Sequence, residues 1–222
     1  YRPTRKSWRL PWLGDTNIFK RHPVTTADII TLIDISGSMG SLDSQLYSGN
    51  IPDYRRWQHQ PVQQAADIAM AIKKRFPDSR AFGFTDFDTE DPRWEGKGRS
   101  EMPNAGLFEL KEYEYPEAGG GGTPLCGALK GLENIFTLDN ARVIVITDGD
   151  ANYCREGDSL MCSRNIIEGW RMKGIRFATV FTPYFDGEKL PDSLPSDLNL
   201  TLRSRQAPNT ADIEAIFAFL RG

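Results

Sequence analysis

The sequence predicts an α/β fold, a doubly wound and mostly parallel central sheet flanked by helices on both faces. Three observations predict it. The runs "DIITLID" (28–34), "ARVIVITD" (141–148) and "IRFATVFT" (175–182) are rich in Ile and Val without polar alternation, as strands buried on both faces are. Stretches with helical apolar spacing lie between and after them. Strand and helix therefore alternate along the chain, the order that builds a parallel sheet.

In chain order, the first buried run ends at Asp34 and is followed by "GSLDSQLYSGNIPDYRRWQHQ" (40–60), too rich in Gly, Ser and Pro for a helix and read as an insertion. "PVQQAADIAMAIKKRF" (61–76) sets Val62, Ala65, Ala66, Ala69, Ile72 and Phe76 on one helical face. "RAFGFTDF" (80–87) is a weaker buried strand, and "GLFELKEYEY" (106–115) alternates as an exposed edge strand does. "PLCGALKGLENIF" (124–136) repeats the helical spacing with Leu125, Leu129, Leu132 and Phe136. Its start is expected to carry Thr123 as N-cap and Pro124 at the first helical position. "SRNIIEGWRMKG" reads as a helix ending at Gly174, and "TADIEAIFAFL" as a C-terminal helix capped at Thr210 or Asp212. "FTPYFDGEKLPDSLPSDLN" (181–199) reads as an extended Pro-rich loop.

The 222 residues and 11% aromatic content suffice for a packed core and exclude a disordered chain. A net charge of −3 argues against a dedicated nucleic-acid binder, and no apolar run reaches the length of a membrane span. Residues 1–22 form a basic segment, with six Lys or Arg against Asp15, that precedes or packs on a single domain over 23–222. That domain carries insertions at about 40–60 and 88–118. Residues 86–117 hold ten acids against four bases, a solvated loop or a surface that meets a partner. Of the three cysteines, Cys154 and Cys162 share one polar stretch and are expected to pair if the chain is extracytoplasmic. Free thiols are expected in a reducing cytosol. No CxxC pair exists and His22 and His59 are the only histidines, which leaves no zinc-finger pattern.

Ligands of a doubly wound sheet bind beyond the carboxyl ends of its strands. "DISGSM" (34–39) puts Asp34, Ser36 and Ser38 at one such end, "TDGD" puts Asp148 and Asp150 at another, and "GGGGTPL" (119–125) adds Thr123. All are oxygen donors, a set suited to a hard cation such as Mg²⁺, Ca²⁺ or Mn²⁺ rather than to zinc or copper. "GGGGTPL" lacks the lysine of a P-loop, and no GxSxG elbow or histidine base accompanies Ser36. The site is therefore read as non-enzymatic.

The pattern Asp34-Ile35-Ser36-Gly37-Ser38, the Thr123 loop and "TDG" at Asp148 resemble the von Willebrand factor A (vWA) domain with its metal-ion-dependent adhesion site. The resemblance covers about 24–222. It implies that Ser36, Ser38 and Thr123 ligate a cation through their hydroxyls and that Asp34 and Asp148 act mostly through bound waters. It further implies that an Asp or Glu carboxylate of a protein partner completes the octahedron. In the neighbouring insertion, Tyr54, Arg56 and Trp57 are of types favoured at interface hot spots. They and Asp150 are the candidate partner-binding residues. Family members of this kind serve as substrate-recruiting partners of AAA+ ATPases in the cytoplasm, the setting favoured here. The alternatives are an extracytoplasmic adhesin or pilus-tip domain and, less favoured, a metal-dependent phosphoester hydrolase.

Overall fold

The computed structural model describes residues 25–26, 29–39, 61–85, 107–110, 122–149, 159–183, 194–204 and 206–222. The basic segment 1–22, the insertion at 40–60 and most of 88–118 lie outside them.

Strand β1 (Thr25–Thr26) is followed by β2 (Ile29–Asp34), helix α1 (Pro61–Arg75), β3 (Arg80–Phe84) and β4 (Phe108–Glu109). Then come α2 (Leu125–Ile135), β5 (Phe136–Thr137), β6 (Arg142–Thr147), α3 (Ser159–Met172), β7 (Arg176–Phe181), β8 (Leu198–Thr201) and α4 (Thr210–Arg221). Among the described residues, six strands form one sheet in the order β4-β3-β2-β6-β7-β8. All neighbours are parallel except β3 and β4, and β4 lies at the sheet edge, where the alternation of "GLFELKEYEY" places a strand. β1 and β5 pair separately in parallel.

The absence of polar alternation in the central strands has a direct cause. In β2, Ile30 and Leu32 pack in one core with Phe82, Val143, Val145 and Phe177, beneath Leu129 and Leu132 of α2 and Ile167 and Trp170 of α3. Ile33 faces the opposite core with Ile144, Ile146 and Val180, beneath Ala65, Ile68 and Ile72 of α1 and Ile216 and Phe219 of α4. Both faces of each central strand are thus covered, and each strand must be apolar throughout.

Three local expectations are corrected. The N-cap of α4 is Asn209, whose Oδ1 accepts the amides of Ala211 and Asp212, while Asp212 Oδ2 accepts the Asn209 amide. This reciprocal box satisfies donors that neither Thr210 nor Asp212 could serve from inside the helix. The N-cap of α2 is Pro124, without a side-chain cap bond, because the hydroxyl of Thr123 is directed elsewhere. The Pro-rich stretch ends in strand β8, whose alternate residues are exposed at the sheet edge; so short and half-polar a run carries no buried-strand signature. As expected, α3 closes at Gly174, whose φ of 80° is the left-handed value that favours glycine after a helix.

A hydroxyl-lined candidate metal site

Because β2, β3, β6 and β7 are parallel, their carboxyl ends share one edge of the sheet. β2 delivers Asp34 there, fully buried. Ile35 continues the edge by donating its amide to Phe84 O at 3.0 Å, and Met39 N bonds back to Ser36 O at 3.1 Å. The serine loop is therefore a tight turn fastened to β3. Asp34 Oδ1 accepts the Ser36 amide at 2.9 Å and Oδ2 accepts the Thr147 hydroxyl at 2.7 Å. Thr147 Oγ1 in turn accepts the Gly149 amide at 3.1 Å, where Gly149 turns the chain at a φ of 103°.

The three hydroxyls meet. Ser36 Oγ and Ser38 Oγ are 3.0 Å apart, and Thr123 Oγ1 donates to Ser36 Oγ at 3.1 Å. Ser36 and Thr123 are buried, and Ser38 is half-buried. The hydroxyl of Thr123 is thus turned toward β2's loop rather than onto its own helix.

Burial pushes the Asp34 carboxyl up to about 7 from its ordinary value of 3.8. Repulsion from Asp148 adds to the rise, and the bonds from Ser36 and Thr147 oppose it. Two carboxylates that repel each other beside three clustered hydroxyls make an electronegative recess. Such a recess is relieved by a proton or by a cation.

The residues fit a hard cation. Every donor is an oxygen. The hydroxyls of Ser36, Ser38 and Thr123 meet at hydrogen-bond separations of 3.0 and 3.1 Å, close enough for neighbouring oxygens to share one ion. Among the described residues there is no group of three or more His, Cys, Asp or Glu able to hold a metal.

Of the sequence-derived ligands, the structure brings Ser36, Ser38 and Thr123 into contact, and Asp34 beside them under the influence of Asp148. Tyr54, Arg56, Trp57 and Asp150 lie outside the described residues. Thr147, which bonds Asp34, is a site residue that the pattern of acids in "TDGD" does not point to. The available signal was a hydroxyl residue closing an otherwise apolar strand beside a carboxylate.

The expected Cys154–Cys162 pair is corrected as well. Cys162 is bonded to Cys126, with Cα atoms 5.8 Å apart. The reason is helix packing: Cys126 lies in the first turn of α2 and Cys162 in the first turn of α3, and these helices pack side by side on one face of the sheet. Proximity in sequence is the wrong guide, since helix packing is what brings the two Cα atoms within disulfide range.

No protein-family model and no curated protein sequence matches the chain. Among solved structures, the chain is similar to the RO (RSR) protein of Deinococcus radiodurans, with a TM-score of 0.44 and 18% identity, over 93% of this chain and 36% of that one. It is also similar to the SpRpn10 VWA domain, with a TM-score of 0.42 and 9% identity, over 87% of this chain and 94% of that one. The chain spans little more than a third of the RO protein. Both are likenesses of fold at low identity, and the chemistry of the site rests on this chain's own side chains.

Proposed function

We propose that the chain is a vWA-type, non-enzymatic module that binds a protein partner through a divalent cation, Mg²⁺ in preference to Mn²⁺ or Ca²⁺. The observation that carries this reading is the contact of three neutral hydroxyls, at 3.0 and 3.1 Å, on a buried carboxylate. Ser36, Ser38 and Thr123 would hold the ion directly. Asp34, whose two oxygens already accept Ser36 N and Thr147 Oγ1, orients the serine loop, and Asp148 supplies charge from the end of the neighbouring parallel strand. A cation held by neutral hydroxyls keeps most of its charge, and when bound supplies a Lewis-acid position for an Asp or Glu carboxylate of the partner.

The test is calorimetric titration of Mg²⁺, Mn²⁺ and Ca²⁺ into chelator-treated protein, beside a Ser36→Ala/Ser38→Ala variant. The reading expects one ion per chain, lost in the variant. Equal binding by both proteins would overturn it.

One observation bears on the setting. The Cys126–Cys162 disulfide favours an oxidising compartment, where such bonds persist, and so an exported adhesin-like module over a cytoplasmic partner of an AAA+ ATPase. Among the described residues no helix is long and apolar enough to cross a membrane. Thiol titration of protein isolated under non-reducing conditions separates the two settings: two unreactive cysteines support export, three reactive ones the cytoplasm.

A further inference from the structure

Thr123 is the one hydroxyl of the cluster that comes from outside the serine loop, so the cluster closes only when the start of α2 is held against β2. What holds it there is legible from the contacts of α2 with α3. At their far ends, Trp170 Nε1 donates to Glu133 Oε1 at 2.8 Å. At their near ends, three residues beyond Thr123, Cys126 is bonded to Cys162. Start meets start and end meets end, so the helices run parallel, fastened at both extremities. The fastening at the site end is covalent. It also closes a ring spanning 36 positions of sequence that contains Asp148, the acid at the end of the neighbouring strand β6.

We propose that the Cys126–Cys162 disulfide is a redox latch on the hydroxyl cluster: the bonded form holds Thr123 in place for the cation, and reduction releases it. This rests on the metal reading above. The bonded form is the one assigned to the closed cluster, since the Thr123–Ser36 contact at 3.1 Å is present together with the bond. The chemistry is thiol–disulfide exchange with a dithiol. Cys126 is 1% exposed and Cys162 half-buried, so the dithiol's thiolate attacks Cys162 Sγ. Cys126 Sγ leaves with the bonding electron pair and takes up a proton. The dithiol's second thiol then attacks the mixed disulfide and departs as a cyclic disulfide, and Cys162 leaves as a thiolate that is protonated in turn. Two electrons and two protons pass to the protein, and the dithiol is oxidised by the same two electrons. The released first turn of α2 keeps its apolar packing, through Leu125, Ala128 and Leu129, but loses its covalent register with α3.

The test compares Mg²⁺ titrations of the protein in three states: oxidised, reduced by a dithiol that is then removed by anaerobic desalting, and reoxidised. Peptide mapping of the oxidised protein accompanies them. The expected result is a Cys126–Cys162 linkage, Mg²⁺ affinity about tenfold weaker after reduction, as site–site couplings of ordinary size give, and recovery on reoxidation. Far-UV circular dichroism should stay unchanged. Cys162→Ala, which removes the half-buried partner and leaves Cys126 in the core, should bind Mg²⁺ like the reduced protein. Equal affinity in both redox states, with one ion bound in each, would overturn the latch and leave the metal reading intact. Loss of secondary structure on reduction would also overturn it, making the bond a staple of the whole fold, as would a mapped Cys154–Cys162 linkage. Absence of binding in the oxidised protein would remove the metal reading and the latch together.

Discussion

Protonation of Asp34 should compete directly with the cation. Its carboxyl is pushed up to about 7 by full burial and by Asp148, so in the metal-free protein it is half protonated near neutrality. Cation binding favours the carboxylate. Apparent Mg²⁺ affinity should therefore be nearly constant above about pH 8 and fall roughly tenfold per unit below about pH 7. An unperturbed aspartate would leave affinity flat down to about pH 5. Calorimetry in buffers of different ionisation enthalpy should show about one proton released per ion at pH 6, about half at pH 7 and almost none at pH 8. The stability of chelated protein carries the opposite sign to ordinary acid denaturation. The folded state holds this proton more tightly than the unfolded chain, so the contribution is fully present below about pH 4 and is lost as pH rises through about 7. From those two limits it amounts to about 4 kcal/mol. Chelated protein should accordingly melt at lower temperature at pH 8 than at pH 5.5, and Mg²⁺ should restore the difference at pH 8. An affinity independent of pH between 5 and 8, with no proton release, would refute the reasoning.

Three further outcomes follow from single contacts. Thr147→Val removes the donor to Asp34 Oδ2 and should destabilise the protein by about 1–3 kcal/mol in urea unfolding at pH 8, with Thr147→Ser recovering most of it; a loss below about 0.5 kcal/mol would contradict the assigned bond. Gln64 is buried in α1, and its Nε2 bridges the carbonyls of Arg203 and Gln206 at 2.7 and 2.6 Å. Gln64→Leu strands both acceptors and should cost about 1–3 kcal/mol by the same assay, while proteolysis should show the β8–α4 connection cut faster. Asn209→Ala breaks the capping box of α4 and should cost about 1 kcal/mol, with Asn209→Asp nearly neutral in thermal melts.

The alternation of elements and the buried runs made the parallel sheet legible before any coordinates, because strands covered on both faces must be apolar throughout. The helix starts were less legible. Asn209 and Thr210 are both good caps in isolation, and only the reciprocal bond with Asp212 decides between them. Thr123 misled for a related reason: a Thr before Pro is a good local cap, but a tertiary contact with Ser36 takes its hydroxyl. The short edge strand β8 was hidden because half its residues face outward. Asp34, Ser36, Ser38, Thr123 and Asp148 were legible because each follows or flanks an element of clear type. Thr147 and the Cys126–Cys162 bond were not, since both depend on which loops and helices become neighbours, and spacing in sequence does not encode that.

The most direct measurement is electron–nuclear double resonance on Mn²⁺ added to chelator-treated protein in the presence of ¹³C-carboxylate-labelled acetate, a minimal stand-in for a partner's acidic side chain. Coupling of the manganese to the labelled carbon in the wild type, absent in Ser36→Ala/Ser38→Ala, is what a hydroxyl-held cation with a position open to an outside carboxylate predicts. A manganese spectrum in the wild type indistinguishable from the free aquo ion would contradict it.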